Sequence, residues 1–128
     1  MKVLIDTHVF IWWTSEPQKL SPRIYSLLTN SDTEIILSLV SIWEMQIKLA
    51  LGKLNLEIAL PEVVSDEINR NLLKLLPIKL THIYALSDLP NHHRDPFDRL
   101  LIAQARSEEL AIASIDGKFD DYAVERLW

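Results

Sequence analysis

Cysteine is absent from the 128-residue sequence, so neither a disulfide framework nor a thiolate metal site can form, and any metal must take oxygen or imidazole ligands. Long apolar runs are absent too, because no stretch reaches the roughly 18 apolar residues that a membrane-crossing helix needs. The apolar start of the chain carries Asp6 and His8 and lacks a basic leader or a small-residue cleavage pattern. These absences predict a soluble, cytoplasmic protein without a membrane anchor.

A surplus of basic residues is also missing, since the formal net charge is −5. Proteins that bind nucleic acids usually owe their phosphate affinity to lysine and arginine, so this charge argues against such a function at first sight. The objection weakens if several acids together hold divalent cations, because the occupied site is then electropositive and the rest of the chain is close to neutral. A nucleic-acid enzyme with an acidic metal site therefore stays open.

Short apolar runs alternate with helical patterns along the chain. The runs predict buried strands at residues 2–5, 35–40, 75–78 and 110–115, with a further edge strand at 124–127. The first strand leads into a helix, and serine, threonine, aspartate or proline signals predict further helices at residues 23–30, 42–51, 62–73, 82–87 and 96 to about 108. This alternation predicts a single α/β domain over residues 1–128, with a central, mainly parallel sheet covered by helices on both faces.

Four acidic residues stand where strands end or helices begin: Asp6, Glu44, Asp98 and Asp116. Ligands of an open parallel sheet bind outside the carboxyl ends of its strands, so these four side chains are expected to gather at that edge. Carboxylates so close together repel one another unless a cation neutralises them. The pattern therefore predicts a site for a hard divalent metal ion.

Two of these acids have structural interpretations that compete with a metal site. Ser41 and Glu44 have the spacing of a capping box, and Glu44 also suits an ion pair with Lys48 one turn later. Asp98 occupies the third position of a helix that Asp95 caps, where a carboxylate simply favours the positive end of the helix. Taken singly, these positions do not decide between a structural and a chemical role.

The other two acids differ in how well a structural role explains them. Asp6 closes an otherwise buried strand, where a carboxylate carries a desolvation cost. Asp116 precedes Gly117 and could be a turn residue, with Asp120 and Asp121 as neighbouring candidates for the same chemical role. The identity of the fourth acid stays open between them.

Four segments in order resemble the successive motifs of PIN-domain proteins: LIDTHVFIW, SIWEMQIKLALGKL, RDPFDRLLIAQA and IASIDGKFDDY. The resemblance spans nearly the whole chain and is closest to short prokaryotic members that include VapC-type toxins of type II toxin–antitoxin systems. It implies a PIN-like three-layer α/β/α fold. It also implies a catalytic site at Asp6, Glu44, Asp98 and Asp116.

By this resemblance, Asp6, Asp98 and Asp116 would bind Mg²⁺ or Mn²⁺, with Thr7 and Ser114 as supporting hydroxyls. The implied activity is an endoribonuclease that hydrolyses RNA phosphodiester bonds with a metal-activated water. The implied partners are an RNA substrate, a cognate antitoxin that masks the site, and a second copy of the chain in a homodimer.

Basic and aromatic residues near the acids could contact RNA. Lys48, Arg94 and Arg99 flank the acidic motifs and could reach phosphates, although surface ion pairing explains them equally well. Three tryptophans lie close to the same motifs: Trp12, Trp13 and Trp43. Tryptophans beside apolar helix faces usually pack in cores, so packing is expected for at least two of them.

Three other classes of protein compete with this interpretation. A catalytically degenerate PIN fold would serve only as a binding module. An aspartyl-phosphate phosphatase also has an acid after its first strand, but it usually carries a second aspartate two residues later, where this chain has His8. A receiver-type signalling module would need an acceptor aspartate after its third strand and a lysine near the end of the chain, and neither stands where expected.

Overall fold

The computed structural model describes residues 1–92 and 94–128, and within them five strands form one sheet. The strands are β1 (Lys2–Ile5), β2 (Glu34–Ser38), β3 (Lys74–Leu76), β4 (Ala111–Ala113) and β5 (Arg126–Leu127). They lie in the order β3-β2-β1-β4-β5, and every neighbouring pair is parallel. The central strand β1 aligns Val3 with Ile35 of β2 and with Ala111 of β4.

Six α-helices connect and cover the strands in the described part of the chain. They are α1 (Thr7–Ser15), α2 (Pro22–Thr29), α3 (Leu39–Ala50), α4 (Leu60–Asn71), α5 (Leu80–Ala85) and α6 (Pro96–Ser107). No helix in these ranges is long and apolar enough to cross a membrane.

The sheet separates two apolar cores because successive side chains of a strand point to opposite faces. On β1, Val3 and Ile5 belong to a core shared with α1, α2 and α4, whereas Leu4 belongs to a core shared with α6. Both faces of the sheet are therefore covered by helices. This arrangement confirms the predicted three-layer α/β/α fold, with a sheet that is wholly parallel.

The predicted start of α3 is wrong by three residues. The helix begins at Leu39 and is capped by Ser38, whose Oγ accepts a hydrogen bond from the Val40 amide at 3.0 Å. Ser41, the predicted cap, is fully buried inside the helix, and its Oγ has no hydrogen-bond partner among residues 1–92 and 94–128. The capping box is therefore absent, and Glu44 lies in the second turn rather than the first.

Other boundaries shift by one to three residues for local reasons. The strand predicted at 75–78 is β3, which ends before Pro77 because proline has no amide to donate to the sheet. The helices predicted at 62–73 and 82–87 each begin two residues earlier, and the last strand is shorter than 124–127. Gly52 follows the end of α3, with a φ of +70° that favours glycine.

Buried polar side chains fix α6 against the β2–α3 junction. The Ser38 hydroxyl donates to Gln104 Oε1 at 2.5 Å, and Gln104 Nε2 lies 3.3 Å from His82 Nδ1 on α5. All three side chains are fully buried, so an apolar residue in place of Gln104 would leave the Ser38 hydroxyl without its acceptor. Since α3 carries Glu44 and α6 carries Asp98, this network helps to set the separation of two of the predicted site acids.

Candidate functional site

Asp6 lies at the carboxyl end of the central strand and also begins α1. Its Oδ1 accepts a hydrogen bond from the Val9 amide at 2.8 Å, and its own amide donates to the Ala113 carbonyl at 3.1 Å. The residue is only 6% exposed. One carboxylate is thus held in place by both the sheet and the helix.

Burial raises the pKa of Asp6 to about 6 from its ordinary value of 3.8. The negative charge of Asp98 also raises this pKa, whereas hydrogen bonds from Ser114 and the Val9 amide and the nearby charge of His8 lower it. Desolvation dominates because the few donors around Asp6 do not replace the water that the carboxylate loses. A bound cation would restore the ionised form.

Glu44 is as buried as Asp6, but its negative charge is balanced by Lys48. Its Oε1 accepts a hydrogen bond from the Thr7 hydroxyl at 2.7 Å, and its Oε2 lies 2.7 Å from Lys48 Nζ. The ion pair between Glu44 and Lys48, predicted from their spacing, is present. Thr7 follows Asp6 directly, so this hydroxyl joins the position of Glu44 on α3 to the end of β1.

Asp98 lies in the first turn of α6, as the sequence predicts. Its negative charge contributes to the raised pKa of Asp6. Asp95 caps this helix, its Oδ1 accepting hydrogen bonds from the Phe97 amide at 2.8 Å and the Asp98 amide at 3.3 Å. Pro96 takes the first helical position. The two aspartates of the RDPFD segment therefore have different places, one at the cap and one towards the site.

We expect replacement of Asp95 by Ala to lower the free energy of unfolding by about 1 kcal/mol, because two backbone amides lose their acceptor. Asp95→Ser should retain most of that stability, since serine also caps helices. Denaturant melts of the two variants test this. An Asp95→Ser protein as unstable as Asp95→Ala would contradict the capping role.

Asp116 lies near the acids but in a turn. Its Oδ1 accepts a hydrogen bond from the Lys118 amide at 2.9 Å, and it begins a short 3₁₀ helix, Gly117–Asp121. Its own amide donates to Ser114 Oγ at 3.0 Å, and the Ala113 carbonyl, one residue earlier, accepts the Asp6 amide at 3.1 Å. The end of β4 therefore connects the backbones of the first and fourth predicted acids. Asp120, a competitor for that role, instead pairs with Arg126.

Asp98 lies near enough to Asp6 for its charge to act on that carboxylate, but among residues 1–92 and 94–128 no three carboxylates or imidazoles stand close enough together to form a ready-made metal site. The local chemistry nevertheless fits a hard cation. Asp6 is a desolvated carboxylate under the influence of the negative charge of Asp98, and carboxylate oxygens are the ligands that hard divalent cations prefer. Without cysteine, a softer thiolate site is excluded.

The predicted RNA-contacting residues have different surroundings. Lys48 is partly exposed beside Glu44, and Arg94 is exposed just before α6. Arg99 donates to the backbone carbonyls of Pro90 at 3.0 Å and Leu86 at 3.5 Å, so it ties the segment before α6 to that helix. Arg99 thus has a structural task whether or not it also meets RNA.

The tryptophans divide as expected. Trp12 and Trp13 pack against the core on the α1 side of the sheet. Trp43 is 54% exposed and contacts the Phe97 ring edge-on, with 5.0 Å between centroids. Trp43 directly precedes Glu44 and Phe97 directly precedes Asp98, so this aromatic pair borders two of the acids.

The family of the chain follows from its sequence pattern. The pattern of the PIN domain matches residues 3–125, almost the entire chain. The chain belongs to the PIN-domain family. The four motifs quoted above are thereby placed within a PIN domain, although a comparison with curated proteins found no significant match.

Solved structures agree with the PIN fold over the full length of the chain. VapBC2 from Rickettsia felis, bound to a DNA fragment from its promoter, contains a chain with a TM-score of 0.74 at 14% identity, covering 99% of this chain and 98% of that one. FitAcB from Neisseria gonorrhoeae has a TM-score of 0.67 at 20% identity, covering 98% of this chain and 96% of that one. A toxin–antitoxin complex from Klebsiella pneumoniae contains a chain with a TM-score of 0.60 at 13% identity, covering 98% of this chain and 96% of that one.

Proposed function

We propose that this PIN domain is a divalent-metal-dependent endoribonuclease, and that it is the toxin of a toxin–antitoxin pair. The observation that carries the enzymatic part is Asp6. Its carboxylate is 6% exposed, has a pKa raised to about 6 and lies under the charge of Asp98, so a cation is what would best stabilise it. PIN domains are generally nucleases, which supports the reaction class.

Asp6, Asp98 and Asp116 would hold Mg²⁺ or Mn²⁺, with Glu44 completing the catalytic acids. When bound, the metal supplies positive charge that activates a water and neutralises the phosphate under attack. The Ser114 hydroxyl lowers the pKa of Asp6 and so favours its ionised form, and Thr7 orients Glu44 through a hydrogen bond. Burial of Asp6 and Glu44 excludes bulk water from the acids, which strengthens the electrostatic interactions between them and a cation.

Lys48 and Arg94 would contact RNA phosphates on either side of the acids, since one is partly exposed beside Glu44 and the other is exposed just before α6. Arg99 would contribute more weakly, because its guanidinium already donates to backbone carbonyls. Hydrolysis by an activated water leaves a 5′-phosphate and a 3′-hydroxyl, which distinguishes this chemistry from cleavage through the ribose 2′-hydroxyl.

The toxin assignment rests on the likeness to VapC-type sequences and on structural neighbours such as the Klebsiella toxin–antitoxin complex. An antitoxin would mask the acidic edge of the sheet, and two copies of the chain would form a homodimer. Such a toxin acts in the cytoplasm, where its RNA substrates are. The competing functions are a degenerate PIN domain that only binds and, less well supported, an aspartyl-phosphate phosphatase.

The decisive experiment is an RNA cleavage assay with purified protein, in excess chelator and then with Mg²⁺ or Mn²⁺ restored. We expect no cleavage in chelator, recovery with either metal, and products that a 5′-phosphate-dependent exonuclease degrades. Asp98→Asn, prepared identically, guards against a contaminating nuclease and should be inactive. Undiminished cleavage in chelator, or equal cleavage by Asp98→Asn, would refute the metal mechanism, whereas RNA binding without cleavage would support the degenerate PIN domain.

A further inference from the structure

Ser114 and the residue before it connect two of the acids. Ser114 is fully buried and its Oγ accepts the Asp116 amide at 3.0 Å, while the Ala113 carbonyl, in the same peptide unit as the Ser114 amide, accepts the Asp6 amide at 3.1 Å. A shift of Ser114 would therefore disturb both positions at once. What holds Ser114 in place thus matters for the acidic site.

The backbone of Ser114 is held from β5. Its amide donates to the Leu127 carbonyl at 3.0 Å, and its carbonyl accepts Arg126 Nη1 at 3.1 Å. Because β5 contains only two residues, few other hydrogen bonds join it to β4. The guanidinium of Arg126 adds a side-chain hydrogen bond to the short pairing of β4 with β5, next to Ser114.

Asp120 fixes the orientation of that guanidinium. Its two carboxylate oxygens accept from Arg126 Nε at 2.9 Å and Nη2 at 3.0 Å, which leaves Nη1 directed to the Ser114 carbonyl. Bidentate pairs of this kind define direction as well as strength. The Arg126 side chain is 22% exposed and the Asp120 side chain 56%, so the carboxylate lies on the solvent side of the pair.

We propose that Arg126 is a positioning residue for the acidic site, acting through Ser114 on Asp6 and Asp116, and that Asp120 orients Arg126 rather than binding metal. This inference rests on the proposed metal-dependent nuclease. It assigns a task to the two charged residues that the sequence motifs leave unexplained. It also argues against Asp120 as the fourth acid, because both Asp120 oxygens accept hydrogen bonds from the guanidinium.

The alternative role for Arg126 is to anchor β5, which would affect stability but not metal binding. Lys74, on the opposite edge strand β3, offers a matched control because it pairs with Glu34 of β2, with side-chain exposures of 65% and 24%. Arg126→Met and Lys74→Met each remove an edge-strand ion pair while keeping an aliphatic stem. Only the first pair touches Ser114.

The test measures the affinity of each folded protein for Mn²⁺ by titration calorimetry, with unfolding curves of the same samples. Arg126→Met should bind Mn²⁺ about tenfold more weakly, the lower end of the 10–100-fold cost of losing an outer partner of a metal ligand. Lys74→Met should match wild type. Arg126→Lys and Asp120→Asn, which keep a cation behind Ser114, should show intermediate losses and supply the result if Arg126→Met fails to fold.

Wild type and Asp6→Asn separate failure of this inference from failure of the proposed function. If wild type binds Mn²⁺ and Asp6→Asn does not, while the folded Arg126 variants bind as tightly as wild type, the positioning role is wrong and the nuclease proposal stands. Equal losses in Lys74→Met and Arg126→Met would also overturn it, by showing a general effect of loosening edge strands. Absence of Mn²⁺ binding by wild type would overturn both proposals.

Discussion

Replacing Asp6 by Asn should make the metal-free protein more stable at pH 7.5 while abolishing cleavage. Asparagine caps helices as well as aspartate does, so the hydrogen bond to the Val9 amide is kept and only the buried charge is lost. The shift of the pKa from 3.8 to about 6 corresponds to at most about 3 kcal/mol. Cleavage should fall more than about 100-fold, because Asp6 is proposed to bind the metal directly. Losing only an outer partner of a metal ligand usually costs about 10–100-fold.

The pH dependence gives this prediction its sign. Because the folded state binds the Asp6 proton more tightly than the unfolded chain, the contribution of Asp6 to stability is present below pH 3.8 and is lost as the pH rises through about 6. The advantage of Asp6→Asn should therefore be largest above pH 7 and disappear near pH 4.

Denaturant unfolding in chelator at pH 4 and pH 7.5 measures this difference directly. Asp32→Asn, which changes an exposed aspartate far from the acidic edge, is the matched control and should show no such gain. Added Mg²⁺ should stabilise wild type but not Asp6→Asn. An Asp6→Asn protein that is less stable than wild type at pH 7.5 would mean that the buried carboxylate is already well satisfied without a metal.

The sequence predicts the elements around Asp6 well because the local signals agree. A buried apolar strand ends at the same residue that caps the next helix, so the end of β1 and the start of α1 need no distant information. The start of α3 lacks this agreement. Ser38 and Ser41 both suit a cap, and the choice is made by the hydrogen bond from Ser38 to Gln104, 66 residues later in the chain.

The same distinction applies within the site. The pairing of Glu44 with Lys48 follows from helical spacing, and the cap at Asp95 follows from the adjacent proline. The contacts of Arg126 with Asp120 and Ser114 depend on how the turn after β4 returns to β5, and no motif marks them. Local chemistry can therefore be predicted from the sequence, whereas contacts that cross between elements require the fold.

Replacing Glu44 by Gln should have the opposite effect on metal-free stability to Asp6→Asn, although both changes remove a buried negative charge. Glutamine keeps an oxygen for the Thr7 hydroxyl but leaves Lys48, whose side chain is 32% exposed, without its anion. We expect a loss of about 1.5–3 kcal/mol, the range for hydrogen bonds to charged groups. Cleavage should also fall sharply if Glu44 is a catalytic acid.

A double-mutant cycle isolates this pair from other consequences of the change. Lys48→Met leaves the buried Glu44 carboxylate with Thr7 alone and should also destabilise the protein, whereas Glu44→Gln combined with Lys48→Met should lose less than the sum of the two. Denaturant melts in chelator give the coupling energy, and RNA cleavage with Mn²⁺ gives the activity of each variant. If the stability losses of the two single variants add up in the double variant, the ion pair contributes no coupling energy to the fold. Opposite signs at Asp6 and Glu44 would instead identify Asp6 as the acid that lacks a cation in the metal-free protein and Glu44 as the one that Lys48 already neutralises.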